Sequence, residues 1–216
     1  TMLKNIGSIE NQGYELSIES DNLTGAFSWT TAFNIAFNRN KVLELGGEEY
    51  KEMAEGDGHL KTGSVRRLIV GEPIGVFYGY RFDGIFQNEE ECKQQTSSAS
   101  PIGVGLRRYK DLNGDGKVDA ANDREILGDA NPKFFGGLTN TFAYKGFELN
   151  VFLQYSYGNK ILNYNAMELE NPTGGQNAYA DMVNRWTPEN PSNIYPKATT
   201  NRALLVSDRF IEDGSY

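Results

Sequence analysis

Apolar and polar side chains alternate without a break over the twelve residues 27–38. One face of this segment carries Phe27, Trp29, Thr31, Phe33, Ile35 and Phe37, and the other carries Ser28, Thr30, Ala32, Asn34, Ala36 and Asn38. A period of two residues predicts a β-strand with one apolar and one polar face. A typical globular strand has about five or six residues, whereas a strand that crosses a bilayer needs about 9–11. The length therefore favours a membrane strand.

Three further segments alternate in the same way and complete two predicted hairpins. Residues 14–19 lead through a connection rich in turn residues into the segment described above. Residues 138–144 lead through Lys145-Gly146 into residues 147–157. The last of these segments has aromatic side chains at both ends of its apolar face, which is typical of the aromatic girdles of a membrane β-barrel.

The pattern predicts a mainly β fold, with antiparallel strands from a transmembrane β-barrel and long surface loops. Such barrels pair short turns on one side with long loops on the other. The predicted segments are a barrel hairpin over 1–38, a long loop region over 39–134 with a β segment at 75–87 and a calcium-loop-like insert at 111–123, a barrel hairpin over 135–158, a long surface loop over 159–208 and the start of a further strand over 209–216. A soluble β-sandwich also has alternating strands, and the pattern alone leaves both architectures open.

The charge and composition of the chain exclude some classes of function. The chain has 21 Lys and Arg against 29 Asp and Glu, a formal net charge of −8. This charge argues against a nucleic-acid binder, because such proteins present basic patches to phosphates. The mean hydropathy of −0.55 is that of a soluble protein. This value does not exclude a membrane β-barrel, because polar residues alternate with the apolar ones along the strands of such a barrel. No run approaches the roughly 18 apolar residues of a transmembrane helix, so a membrane role requires strands.

Residues 111–119 match the first nine positions of a calcium-binding loop. Oxygen-bearing groups at alternate positions wrap around one point, and a central glycine permits the sharp turn. The carboxylate that normally ends such a loop is replaced by Asn122, so Asp123 is expected to close the site through a bulge. The predicted ligands of a structural Ca²⁺ are Asp111, Asn113, Asp115, Lys117 through its carbonyl, Asp119 and Asp123. In a second interpretation, compatible with the first, Asn122 caps a short helix over 122–127.

No motif supports catalysis, and no catalytic residue is predicted. His59 lies in a glycine-rich stretch without a nucleophile motif beside it, and Cys92, the only cysteine, has no partner for an intrachain disulfide. Six aromatic side chains of the long loops can either stack on sugars or pack within the loops: Tyr78, Tyr80, Tyr164, Tyr179, Trp186 and Tyr195. The sequence leaves these two roles open and assigns no ligand-binding residue.

Several strings of residues resemble the C-terminal barrel region of the SusC/RagA-type TonB-dependent outer-membrane transporters. The resemblance covers nearly the whole chain, in the same order, and includes Gly75-Val76-Phe77-Tyr78-Gly79-Tyr80, Asp83-Gly84-Ile85-Phe86-Gln87, Asp111-Leu112-Asn113-Gly114-Asp115-Gly116, Ile126-Leu127-Gly128-Asp129, Arg185-Trp186-Thr187-Pro188 and Arg209-Phe210-Ile211-Glu212-Asp213-Gly214. Two features depart from the family pattern. Gly105-Leu106-Arg107-Arg108 stands where the family usually has Gly-Asp-Ile/Leu-Arg, and Ala120-Ala121 lengthens the calcium-like loop.

The resemblance implies a large barrel with an N-terminal plug in the outer membrane of a Gram-negative bacterium. Such a protein imports oligosaccharides or peptides, is closed from outside by a SusD-like lipoprotein and is energised by TonB. The resemblance also implies that this chain is a fragment whose plug, TonB box and signal peptide lie upstream of Thr1. About five strands cannot close a transmembrane barrel, so the barrel is expected to be incomplete within this chain.

The predicted function is therefore that of a segment of an outer-membrane TonB-dependent nutrient importer, contributing barrel strands, surface loops and a structural calcium site. The alternative is a soluble extracellular β-rich module that contains calcium and binds glycans. A glycan hydrolase is a third class, which would require turnover of an oligosaccharide.

Overall fold

The structure, a computed structural model, describes residues 7–53, 64–171, 177–199 and 204–216. Its strands are β1 (Ser8–Leu23), β2 (Phe27–Glu44), β3 (Tyr50–Glu52), β4 (Arg66–Ile69), β5 (Val76–Tyr80), β6 (Phe82–Ile85), β7 (Thr96–Ser97), β8 (Arg107–Tyr109), β9 (Lys117–Val118), β10 (Arg124–Asp129), β11 (Phe134–Tyr144), β12 (Phe147–Tyr157), β13 (Lys160–Leu162) and β14 (Ile211–Asp213). Its helices are α1 (Glu89–Lys93) and α2 (Tyr164–Leu169), with 3₁₀ turns at Ala180–Asn184 and Asp208–Phe210.

Four long strands form one antiparallel sheet in the order β1-β2-β11-β12. The strands β2 and β11 are hydrogen-bonded neighbours, although the whole segment between Glu44 and Phe134 separates them along the chain. The two tight connections, at residues 24–26 and Lys145-Gly146, lie at one end of this sheet, and the long connection lies at the other. The mainly antiparallel β fold predicted from the alternation is confirmed.

Each face of this sheet keeps its apolar or polar character across all four strands. The register pairs apolar residues with apolar ones and polar residues with polar or small ones. Directly paired residues of antiparallel strands place their side chains on the same face. One row of such pairs crosses the sheet as Ile18, Phe33, Leu138 and Leu153, and the next row crosses it as Ser17, Asn34, Gly137 and Gln154. The sheet therefore has one apolar and one polar face.

Aromatic rings cluster at the two ends of the apolar face. Near the tight turns, the ring centroids of Trp29 and Phe142 are 5.9 Å apart. At the opposite end, Phe134 lies 5.8 Å from Phe37 and 5.1 Å from Tyr157, again between ring centroids. Aromatic clusters toward both ends of an apolar face are typical of a membrane-spanning sheet.

The buried core lies among the short strands and loops rather than on the long sheet. Its larger cluster contains Val65, Ala166, Met167, Leu204, Val206 and Phe210. The two long connections pack against each other here, since the amide of Tyr80 on β5 donates to the carbonyl of Val206 at 2.9 Å. These connections form a single packed region beyond one end of the long sheet.

The segment after the calcium-like loop is a strand. β10 pairs with β5, with Arg124 opposite Tyr80 and Ile126 opposite Tyr78. The interpretation of residues 122–127 as a short helix is therefore wrong. The free edge of β5 offers these residues a ladder of backbone hydrogen bonds, and this long-range pairing outweighs the local helix-capping signal.

The last residues begin another strand beside β12. β14 pairs with β13, and the backbone groups of Ser156 and Tyr216 exchange two hydrogen bonds of 2.9 Å. Within the described residues the long sheet remains open, so the prediction of an incomplete barrel is confirmed. Across the described ranges, no helix is long and apolar enough to cross a membrane.

Candidate functional site

The predicted calcium loop lies between β8 and β10 and is ordered by its own side chains. The carboxylate of Asp111 accepts hydrogen bonds from the amides of Gly114 and Gly116, each at 2.7 Å. Both glycines have positive φ angles, of 76° and 82°, which favour glycine. The glycine positions identified in the sequence thus form the tight turns of this loop.

The side chain of Asp123 closes the loop from within. It is fully buried, and its two carboxylate oxygens accept the amides of Leu112 at 2.8 Å and Asp119 at 2.7 Å. Hydrogen bonds from backbone amides to a carboxylate are among the stronger ones in proteins. In this conformation Asp123 therefore links the start of the loop to its end through the backbone.

The other predicted ligands are also engaged inside the loop. Asp115 accepts the amide of Lys117 at 2.8 Å, and the Asn113 amide group donates to Asp115 at 2.9 Å. The pKa of Asp119 is lowered, first by a hydrogen bond from the Lys117 side chain and then by the amide of Asn122. Across the residues that the structure describes, no three acidic, His or Cys side chains converge as a metal site. Calcium binding stays a prediction.

The six loop aromatics occupy different environments. Tyr80 is buried against Tyr109, with ring centroids 5.7 Å apart, and Tyr164 packs against the larger core cluster. Tyr78 stacks on the guanidinium of Arg67 at 3.8 Å. These tyrosines pack within the loops.

The three remaining loop aromatics lie nearer the surface. The Trp186 indole donates to the Gln87 side chain at 3.0 Å, and the Tyr195 hydroxyl lies 3.5 Å from Asp181. Tyr179 is 38% exposed. Of the six aromatics, Tyr179 is thus the most exposed.

Ion pairs that sequence reasoning missed hold the two long connections together. Arg81 pairs with Glu125, and its Nη1 lies 3.2 Å from Asp208 of the second connection. The carboxylate of Asp208 also accepts the amide of Phe82 at 2.8 Å. No local spacing signals these pairs, because the partners are far apart in the sequence.

A second cluster surrounds Arg67, whose guanidinium lies between the rings of Tyr50 and Tyr78, at 4.0 Å and 3.8 Å from their centroids. Glu52 forms ion pairs with Arg67 and Arg124. Burial raises the pKa of Glu52, but the two guanidinium groups outweigh this effect and hold it below its ordinary value. This cluster stabilises the small sheet of β3, β4, β5 and β10.

The residues considered for catalysis form no catalytic arrangement among the described residues. His59 lies outside these residues. Cys92 is partly exposed on α1, and its pKa is raised first by burial and then by the carboxylates of Glu89 and Glu91. A thiol with a raised pKa is a poor nucleophile at neutral pH.

Curated relatives with high similarity are TonB-dependent receptors. The chain is 38% identical over 217 aligned residues to TonB-dependent receptor P3 of Formosa agariphila, an alignment that covers 100% of this chain and 21% of that protein. It is 28% identical to TonB-dependent receptor SusC of Bacteroides thetaiotaomicron over 74% of this chain and 15% of SusC. The chain spans about a fifth of the length of the first curated relatives that it matches. No protein-family model matches the chain.

Solved structures of the RagAB peptide transporter share the fold. One of them superposes with a TM-score of 0.72 and 20% sequence identity, covering 98% of this chain and 22% of that chain. A second, of the RagAB peptide importer in an open-open state, has a TM-score of 0.71 and 18% identity. At these identities the likeness concerns the fold alone. From the curated relatives and this fold together, the chain belongs to the SusC/RagA-type TonB-dependent receptor family and corresponds to part of its barrel region.

Proposed function

We propose that this chain is a barrel segment of a TonB-dependent nutrient importer in the outer membrane of a Gram-negative bacterium. It contributes adjacent spanning strands and the two extracellular connections that pack above them. The observation that carries the proposal is the two-faced long sheet, found in a chain that resembles these receptors over its whole length. No catalytic activity is proposed for it.

The dimensions of the apolar face support a membrane-spanning role. Phe27 and Phe37 mark the two ends of the aromatic bands on β2 and are ten residues apart. At about 3.3 Å per residue this distance is about 33 Å along the strand. A tilt of about 40° reduces it to about 25 Å along the membrane normal, which is the height of the apolar band of outer-membrane barrels.

The cargo and the partners of the importer are part of the same proposal. An oligosaccharide or a peptide is the expected cargo, a SusD-like surface lipoprotein is the expected partner outside the cell, and TonB is the expected energy source inside. Support comes from the similarity to SusC and from the fold shared with the RagAB peptide transporter. The competing proposal of a soluble glycan-binding module has no relative in its favour among the receptors reported above.

Two adjacent residues of β12 provide a matched test of the membrane proposal. Leu153 lies on the apolar face and Gln154 on the polar face. Each is changed to Cys in a full-length receptor that contains this chain, in a background with Cys92→Ser and no other free cysteine, and is labelled with a fluorophore in lipid vesicles. We expect nitroxide-bearing lipid to quench the label at position 153 and aqueous iodide to quench the label at position 154. Equal quenching by iodide at both positions would favour the soluble module.

The transport proposal needs its own test. Deleting the receptor gene in its host is expected to abolish growth on at least one oligosaccharide or peptide when that compound is the sole nutrient source. Deleting the host TonB system is expected to give the same growth defect. Undiminished growth of the receptor deletion on a broad panel of both compound classes would argue against import.

A further inference from the structure

We propose that a half-enclosed cavity beside Arg107 binds a carboxylate group of the imported substrate. This inference rests on the proposed import function and narrows the chemical class of the cargo. It concerns the packed region of the two long connections, where Arg107 lies four residues before the calcium-like loop. None of the sequence motifs points to this cavity.

The cavity has a volume of about 150 Å³ and a largely apolar wall. The wall includes Ala99, Pro101, Leu106, Pro196 and Leu204, of which Pro196 and Leu204 are buried. Mostly apolar walls with few polar groups are typical of small-molecule sites. This volume is well above what a single water requires. A single small group of a larger ligand therefore fits.

The charged residue in this wall is Arg107, and the polar residues of the wall are Ser100, Tyr109, Asn171 and Thr199. Arg107 lies on β8 and is held by pairing with Ile85 of β6. Its Nη2 donates to the carbonyl oxygen of Glu170 at 3.0 Å, the one hydrogen bond that its guanidinium makes within the described residues. A guanidinium has five N–H donors, and the hydrogen bond to Glu170 uses one of them.

The carboxylate beside Arg107 is hydrogen-bonded to a second guanidinium group. The nearby carboxylate of Glu170 accepts two hydrogen bonds from Arg209, at 2.9 Å and 3.0 Å. Asp181 also acts on Glu170, so two carboxylates stand beside the two guanidinium groups. The hydrogen bond of Arg107 nevertheless goes to a backbone carbonyl and not to a carboxylate. A guanidinium fork also matches the planar geometry of a carboxylate.

The electrostatic environment agrees with this assignment. Burial lowers the pKa of Arg107, and Arg209 adds to the lowering, while Tyr109 and Glu170 act in the opposite direction. A lowered pKa for a cation means that the folded protein disfavours its charged form. A bound carboxylate would reverse this effect, so anion binding relieves an unfavourable burial.

Arg107 stands at a position where this chain departs from the family pattern. The resemblance described above places Ile or Leu at this position of the pattern. The variant Arg107→Leu therefore introduces a residue that the fold is expected to accommodate. Two acids share the proposed chemistry, the C-terminal carboxylate of a peptide and the carboxylate of a uronic acid.

Trifluoroacetate, observed by ¹⁹F NMR with the detergent-solubilised full-length receptor, tests the site directly. We expect its resonance to broaden with the wild-type protein, and its affinity to fall at least tenfold in Arg107→Leu. Ala99→Leu fills the cavity without removing the charge and is expected to weaken binding as well. Arg108→Gln is the matched control, because the neighbouring Arg108 pairs with Asp83 and Glu91 outside the cavity.

Competition identifies the source of the carboxylate. An acetylated tripeptide is compared with its C-terminal amide, and galacturonic acid with its methyl ester. Displacement of trifluoroacetate by at least one acid, and by neither neutral counterpart, supports the proposal and names the cargo class. Equal binding of trifluoroacetate to wild type and Arg107→Leu, or displacement by the neutral compounds, would overturn it. A failure of import would instead appear in the growth tests and leave these NMR results unchanged.

Discussion

The indole nitrogen of Trp29 lies 2.9 Å from Oδ1 of Asn140 on the neighbouring strand, on the apolar face of the long sheet. The same oxygen accepts the Thr31 hydroxyl at 2.7 Å. Asn140 thus satisfies two polar groups on a surface that the proposed function places against lipid. A polar side chain is tolerated there because its partners are on adjacent strands.

Replacing Asn140 is expected to destabilise the sheet. Asn140→Ala removes the acceptor for Trp29 and Thr31, and hydrogen bonds of this kind contribute about 0.6–2 kcal/mol in membrane proteins. We expect a loss of about 1–2 kcal/mol in the free energy of unfolding, measured by urea titration of the full-length receptor in detergent. The control is Asn150→Ala, which removes an exposed hydrogen bond to Thr141 on the polar face. An equal loss in both variants would contradict the argument.

A side chain at Gly136 is expected to destabilise the long sheet. A Cβ at this position would lie 2.1 Å from the carbonyl oxygen of Asn34 and 2.6 Å from the Tyr155 hydroxyl, which donates to that carbonyl at 2.8 Å. Gly136→Ala should therefore lower the free energy of unfolding by about 1–3 kcal/mol through overpacking. Gly103→Ala, where the nearest atom is 3.5 Å away, should stay within about 0.5 kcal/mol of wild type. The same urea titration compares the two variants, and equal midpoints would refute the prediction.

Calcium is expected to raise the melting temperature of the loop region. Binding requires the carboxylates of Asp111, Asp115 and Asp119 to exchange backbone amides for the cation. Asp115→Ala should abolish both the heat of calcium binding in calorimetric titration and the rise in melting temperature. Glu189→Ala, at an exposed turn, is the control and should behave as wild type. Absence of heat with the wild-type protein, together with identical melting curves with and without calcium, would exclude the site.

The strand β14 and the two residues after it are expected to lose protection from hydrogen exchange in acid. Hydrogen bonds from the side chain and amide of Ser215, and then from Lys160, lower the pKa of Asp213 from 3.8 to about 2. The pKa of Asp213 is lower in the folded state than in the unfolded state. The stabilisation by its carboxylate is therefore complete above about pH 4 and is lost as the pH falls through about 2. Hydrogen exchange of residues 211–215, corrected for intrinsic rates, should show falling protection over this window.

Asp213→Asn provides the comparison for this titration. The variant should show weak protection at both ends of the window, with no pH dependence of its own. Glu189→Gln should retain the wild-type profile. Because the carboxylate is exposed, high salt should reduce the difference between wild type and Asp213→Asn. A wild-type profile that is flat from pH 5 to pH 2 would contradict the prediction.

The strands of the long sheet were predictable because their signal is local. Alternation along residues 27–38 fixes which side chains share a face, whatever the strand pairs with. The aromatic ends of the 147–157 segment likewise follow from positions along one strand. β2 nevertheless continues to Glu44, six residues beyond the alternating run. Residues 39–44 carry no alternation that distinguishes a strand from a loop.

The loop region was far less predictable, because its stability comes from contacts between distant segments. The strand β10 forms through pairing with β5, and its own sequence carried a helix-capping signal instead. Asp123 was predicted to be a metal ligand from its spacing, while its burial and its hydrogen bonds from two backbone amides depend on the folded loop. The cavity beside Arg107 depends on Pro196 and Leu204, and Arg107 donates to the carbonyl of Glu170; no local pattern relates these residues to one another.

By itself, the sequence determined a mainly β protein with two-faced strands, the tight hairpin turns and the resemblance to one receptor family. These properties follow from short-range periodicity and from strings of residues that are read in order. Only the tertiary structure decided that β2 lies beside β11, that the two long connections interlock, and which charged groups are buried together. Those outcomes depend on the path of the chain through space, because partners such as Arg81 and Asp208 are brought together by packing rather than by sequence separation.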